Sequence, residues 1–192
     1  MSQDYSSLPD DLPAPSDDGA ARHLEGMILP DVSLAATDGG RVSLAKLKGR
    51  TVVYAYPRTG EPGQPNLVSD WDAIPGARGC TPQSCAFRDH HSDLIAHGVG
   101  QVHGLSTQTS AYQAEAASRL HLPFTLLADP NRAFATAIRL PTFEAAGQTL
   151  LKRLTLVIDD GRVTKVFYPV FPPDRSAEAV LVWLAQQETP SA

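Results

Sequence analysis

The first patterned stretch of the chain alternates apolar and polar positions on either side of a turn. Residues 31–36 (DVSLAA) and 41–47 (RVSLAKL) flank Thr37-Asp38-Gly39-Gly40, and an Asp-Gly pair supplies the positive φ angles of a tight hairpin. Residues 51–56 (TVVYAY) are β-branched, apolar and aromatic, which predicts a buried strand ending at Pro57. From 58 to 79 the pattern is lost among Pro62, Pro65, Pro75 and several glycines. A structureless connection of that length is unusual, and long loops often carry function. A helix is expected from Cys80 or Thr81, with Thr81 as a candidate cap, Pro82 suited to the first helical position, and Ala86, Phe87, Leu94 and Ile95 on its apolar side. Residues 101–106 (QVHGLS) predict a second buried strand, 110–120 a helix, 123–127 (PFTLL) a short strand, and Asp129-Pro130-Asn131 the opening of another helix. Strands 154–159 (LTLVID) and 163–170 (VTKVFYPV) face each other across Asp160-Gly161. Residues 176–187 close the chain as an amphipathic helix with Ala179, Val180, Trp183 and Leu184 inward.

The order is therefore a hairpin followed by β, α, β, α, β, α, β, β, α. Crossovers early in the chain imply parallel strands and the late hairpin implies antiparallel ones. The expected class is α/β: a thioredoxin-like fold with a mixed central sheet, helices on both faces and an N-terminal β-hairpin. The length of 192 residues suits one domain. Residues 1–22 are rich in Pro, Ser and Asp. That composition predicts a mobile or surface-draped N-terminal segment, with the domain spanning 23–192.

The formal net charge of −5 argues against a nucleic-acid or anionic-membrane partner. The N-terminus is acidic and lacks the basic start and apolar run of a secretory signal. No stretch approaches the about 20 apolar residues that span a bilayer. A soluble, cytoplasmic protein is expected.

The chain holds two cysteines, Cys80 and Cys85. They are too few for a disulfide scaffold or a four-ligand zinc set, and two close thiols fit a redox couple better than a structural staple, which across so short a loop gains little. Cys80 stands where a loop opens into a helix. Unpaired backbone N–H groups and the positive dipole end favour thiolate there, and thiolate is the nucleophile. The same N–H groups are placed to bind an oxygen as charge builds on it.

Gly79-Cys80-Thr81-Pro82-Gln83-Ser84-Cys85, followed by Phe87-Arg88-Asp89, closely resembles the signature of peroxiredoxins, in particular the bacterioferritin-comigratory or Q-type subgroup. The likeness runs from about Leu29 to Trp183 and includes Tyr56-Pro57 at the end of the first core strand. The resemblance implies a hydroperoxide reductase without a prosthetic group. Cys80 would be the peroxidatic and Cys85 the resolving cysteine. Arg153, in Lys152-Arg153-Leu154-Thr155, matches the family's activating arginine, whose fixed charge would support the thiolate and the developing oxyanion. Hydrogen peroxide or an organic hydroperoxide would be the substrate and a thioredoxin- or glutaredoxin-like protein the reductant; a monomer or weak homodimer is expected. On an ideal helix, positions five apart lie roughly 8.6 Å apart between Cα atoms. A disulfide needs less than about 7 Å, so a Cys80–Cys85 bond requires the first turn to unwind.

Two departures stand out. Where the family carries Thr or Ser three residues before the reactive cysteine and Pro four residues earlier, this chain has Ala77 and Ala73, and Pro57 lies 23 residues before Cys80. Thr59, Ser69 and Thr81 are the candidates for a substitute hydroxyl. Trp71-Asp72 in the expanded loop either covers the site or anchors the loop.

Other residues have plainer explanations beside functional ones. Arg78 either supports the thiolate or is an exposed loop charge, and Arg88 with Asp89 reads as a clamp on one helix. Cys85 itself also suits a core-facing helix position. His90 and His91 point about 100° apart on a helix and make a poor metal pair, so no metal is expected. His103 and His121 read as structural, and Pro141-Thr142 as a plain loop proline. Two other functions compete. A thiol–disulfide oxidoreductase would carry C-x-x-C rather than this C-x₄-C, and a non-catalytic redox sensor would account for Ala77.

Overall fold

The structure, a computed structural model, describes residues 7–188. In chain order its elements are β1 (Leu34–Ala36), β2 (Arg41–Val42), β3 (Arg50–Ala55), α1 (Cys80–Asp89), α2 (His91–Ala96), β4 (Val99–Ser106), α3 (Ser110–Arg119), β5 (Leu126–Ala128), α4 (Ala133–Ala137), β6 (Thr142–Ala145), β7 (Gln148–Leu151), β8 (Leu154–Asp159), β9 (Arg162–Phe167) and α5 (Ser176–Glu188). Seven strands form one sheet in the order β2-β1-β5-β4-β3-β8-β9. β3, β4 and β5 run parallel, joined by the helical crossovers, and the remaining pairs are antiparallel. The sheet is mixed, as the order of elements implied.

β3 lies in the interior of the sheet, between β4 and β8, because it has no polar face to show. Val52, Val53, Tyr54 and Ala55 are buried, and Val53 sits between His103 of β4 and Leu156 of β8. Odd positions feed one core with Leu105, Leu127, Leu156, Phe134 and Ile138, under α4 and residues 21–29. Even positions feed a second core with Phe87, Leu94, Ala177, Val180 and Leu184, under α1, α2 and α5. Alternation along a single strand thus fixes which helices lie on which side. The second face carries the chemistry, since α1 rests on it.

Several expectations are corrected. The helix beginning at Cys80 breaks at His90 into α1 and α2. Thr81 does not cap α1. Gly79 holds the cap position, so Pro82 falls in the middle of the first turn. In α5, Ala177 rather than Ala179 faces the core. The helix expected at 129–131 begins at Ala133, with the Asp129 carboxylate accepting from the N–H groups of Phe134 and Ala135 at 3.3 and 2.8 Å. Residues 142–151 form an extra hairpin, β6–β7, as a separate two-stranded sheet. Its turn, Ala146-Gly147, has φ of 48° and 70°. Alanine is a rare choice for the left-handed region, which is why no turn signal announced it.

Residues 1–6 of the N-terminal segment lie outside the described residues. Farther along, Asp18 accepts hydrogen bonds from Lys152 Nζ at 2.6 Å and Tyr168 Oη at 2.8 Å, which lays residues 15–18 beside the loop that precedes β8.

Candidate active site

α1 starts at Cys80 because of what precedes it. Gly79 has φ of 105°, a conformation that side chains resist. A Cβ there would also overlap the Pro173 ring and Leu8. The first turn so placed leaves the N–H groups of Cys80 and Thr81 without helical acceptors, and Pro82 contributes none.

Cys80 is 3% exposed. Arg153, at the threshold of β8 and equally buried, places Nη2 at 3.3 Å from Cys80 Sγ. The same Nη2 donates to the carbonyls of Gly76, Ala77 and Arg78 at 3.3, 3.3 and 3.1 Å. Its Nη1 makes a short hydrogen bond to Gln83 Oε1. Gln83 Nε2 donates in turn to Ser176 Oγ at 3.2 Å, and Ser176 Oγ meets Thr155 Oγ1 at 3.0 Å. A buried polar chain thus runs from the sulfur through Arg153 and Gln83 to α5 and β8. A buried guanidinium needs such partners to offset lost hydration, and these fix its plane against Cys80. The sequence drew attention to Cys80 and Arg153 but not to Gln83, Ser176 or Thr155. The signal available was a set of polar side chains at positions that the apolar pattern assigns to the core.

The cavity over Cys80 holds about 20 Å³ and is walled by Arg58, Glu61, Leu67, Trp71, Arg78 and Tyr112, with Gly79 and Thr81 beside the cysteine. A water needs about 10–15 Å³, so the space fits one very small molecule. Arg78 is buried rather than an exposed loop charge, 3.5 Å from the Asp72 carboxylate. Of the three substitute hydroxyls, Ser69 is exposed and Thr59 donates to Gln108 Oε1 at 3.1 Å. Thr81 lines the cavity, and its hydroxyl is buried without a hydrogen-bond partner. Ala77 has its methyl in a small apolar cluster with Trp71, Ala145 and Leu150.

Cys85, near the middle of α1, has a different setting. It is half-buried and lines an open groove of about 670 Å³ with Leu8, Pro82, Asp89, Phe171 and Pro173. Burial pushes its thiol pKa up, partly opposed by the Arg88 guanidinium. Both thiols are free, on an unbroken helix. Arg88 Nε pairs with Asp89 at 2.8 Å, as the clamp expected, and Arg88 Nη1 ties α1 to the Leu120 carbonyl.

The histidines lie elsewhere. His90 meets Asp93, His91 packs on Phe124, and buried His103 bonds Thr125 and Gln101. Burial lowers the His103 pKa, keeping the ring neutral. Among the described residues no group of three or more His, Cys, Asp or Glu is arranged to hold a metal. Pro141 leads directly into β6.

The family model described as Redoxin matches residues 24–181. A relative named "Peroxiredoxin Q, chloroplastic" from Gentiana triflora is 31% identical over 185 residues, covering 93% of this chain and 76% of its own. "Peroxiredoxin Bcp" of Escherichia coli (strain K12) is 30% identical over 166 residues, covering 84% and 95%. Among solved structures, peroxidoxin BcpB from Mycobacterium tuberculosis superimposes with a TM-score of 0.68 at 25% identity, covering 86% of this chain and 98% of that one.

Proposed function

The chain belongs to the redoxin family, and from that premise we propose that Cys80 is the sulfur oxidised by peroxide, Cys85 the sulfur that resolves it, and Arg153 the cation that stabilises the reacting oxygen and sulfur. Its chemistry is that of the peroxiredoxins: thiol-dependent reduction of peroxides. The observation that carries the residue assignment is the 3.3 Å approach of the Arg153 guanidinium to Cys80 Sγ beside a small cavity.

The Cys80 thiolate attacks the terminal oxygen of the peroxide in line with the O–O bond. That bond breaks, sulfur is oxidised by two electrons to sulfenic acid, and the departing hydroxide or alkoxide takes up a proton to leave as water or alcohol. The Arg153 guanidinium faces the negative charge as it moves from sulfur to oxygen. The free N–H groups of the first turn of α1 add neutral donors to the same place. The Cys85 thiol then displaces the sulfenic oxygen as water, forming a disulfide with Cys80. This step requires α1 to open between residues 80 and 85, because a five-residue helical spacing exceeds the about 7 Å that a disulfide spans. A thioredoxin-like dithiol reduces the disulfide and is itself oxidised. The cytoplasm is the location proposed, although several relatives are chloroplastic by name. Among the described residues no helix is long and apolar enough to cross a membrane.

The test is peroxide consumption with a thioredoxin system. Cys80→Ser is expected to lose turnover by about 10³-fold or more. Cys85→Ser is expected to be oxidised once at near the wild-type rate and then to recycle poorly. Full activity in Cys80→Ser would overturn the assignment.

A further inference from the structure

Two parts of the chain exceed the plain fold plan, the 58–79 connection and the β6–β7 hairpin, and they pack on each other. Trp71 is 5% exposed, in a cluster with Ala77, Ala145 and Leu150 that Leu67, Ile74 and Phe143 flank. The Trp71 and Phe143 ring centres are 6.3 Å apart. The start of the connection is tied to α3 and its approach. Gln108 Oε1 accepts from Thr59 N at 2.9 Å, Tyr112 Oη donates to Thr59 O at 3.3 Å, and Arg119 Nη2 donates to Gly60 O at 3.1 Å. Its end is tied by Arg153 to three successive carbonyls. Held at both ends and propped by the hairpin from behind, the loop covers most of Cys80 and leaves a small, partly open cavity of about 20 Å³, with Leu67 and Trp71 in its wall.

Hydrogen peroxide is two oxygens and needs little more room than water, at about 10–15 Å³. A hydroperoxide bearing an aromatic or branched alkyl group carries a substituent larger than this space, and bringing its terminal oxygen to the sulfur sets that substituent against the Leu67 and Trp71 side chains in the wall. Building on the assignment of Cys80 as the peroxide-reactive sulfur, we propose that loop 58–79 and the β6–β7 hairpin form a size-selective cap, with Trp71 and Leu67 as its specificity-determining residues, and that the substrate is hydrogen peroxide rather than a bulky organic hydroperoxide. Ala77 fits this arrangement, because its methyl belongs to the cap's apolar cluster.

The experiment compares wild type, Trp71→Ala and Leu67→Ala. Each reduced protein is mixed with hydrogen peroxide or with cumene hydroperoxide, and loss of the Cys80 thiol is timed by quenched alkylation and mass spectrometry. Wild type is expected to react with hydrogen peroxide on the order of 100-fold faster than with cumene hydroperoxide, the scale on which misplaced reacting atoms slow a reaction. In both variants that ratio is expected to shrink on the order of 10-fold, through faster reaction with cumene hydroperoxide. Leu67 is only half-buried, so its variant keeps the test open if Trp71→Ala does not fold. Equal wild-type rates, or a ratio unchanged by truncation, overturn the cap. If neither peroxide oxidises Cys80, the peroxidase assignment falls, and the cap falls with it.

Discussion

The two thiols share one helix and little else. Cys80, at the first residue of α1, lies in a small, partly open cavity of about 20 Å³ and faces a buried guanidinium. Cys85, five residues on, opens into a groove of about 670 Å³ rimmed by Leu8, Phe171 and Pro173. The first setting admits a molecule of a few atoms and surrounds it with fixed charge. The second is wide enough for part of another protein. The contrast teaches that two thiols on one helix differ by what covers each sulfur; under the assignment proposed above, one helix would separate the oxidant's entry from the reductant's.

Removing the charge breaks the contrast most severely. Arg153→Met keeps the bulk of the side chain and deletes the guanidinium. Its rate of Cys80 oxidation by hydrogen peroxide, followed by stopped flow, is expected to drop about 10²–10³-fold, the scale for losing one preorganised donor. Oxidation at the wild-type rate would show that the charge is structural only. A smaller break comes at Thr81. Its buried hydroxyl has no partner, and such a group costs about 1–3 kcal/mol. Thr81→Val is therefore expected to be at least as stable as wild type in urea melts yet about 10-fold slower with peroxide, with Thr81→Ser restoring the rate. Equal rates in all three proteins would remove Thr81 from the site.

The least effect sharpens the comparison instead of breaking it. Burial raises the Cys85 pKa. A raised pKa withholds the thiolate until higher pH, so iodoacetamide labelling of Cys85 in a Cys80→Ser background is expected to climb at higher pH than labelling of free cysteine, whose pKa is about 8.5. A labelling profile that overlays free cysteine would mean that the groove does not desolvate the sulfur.

Much of this site was legible in the sequence because it is local. Gly79-Cys80-Thr81 marks the start of α1 through backbone chemistry that neighbours alone dictate, whereas Arg153 came only from the resemblance to peroxiredoxins, since a charge before an apolar strand reads equally as a surface residue. The cap was not legible. Its hairpin turns at Ala146, a residue with no turn preference, and its purpose depends on Trp71 reaching Phe143 across more than seventy positions of chain. The sequence also left open whether Trp71 covers the site or anchors the loop, and one ring does both. The chain from Arg153 through Gln83 to Ser176 escaped for a related reason. Each member is an ordinary polar residue until the fold buries all three together.

Gly79 is seated beneath Pro173 and Leu8, and Gln83 is held by Arg153 and Ser176. These contacts secure the very turn that must come apart before the two sulfurs can join. The tighter that seat, the longer the oxidised sulfur waits alone, and a second peroxide arriving in the interval drives it to sulfinic acid, from which a thioredoxin-like donor offers no return. Under the proposed roles of Cys80 and Cys85 the seat would act as a fuse, setting the oxidant concentration at which the molecule stops recovering.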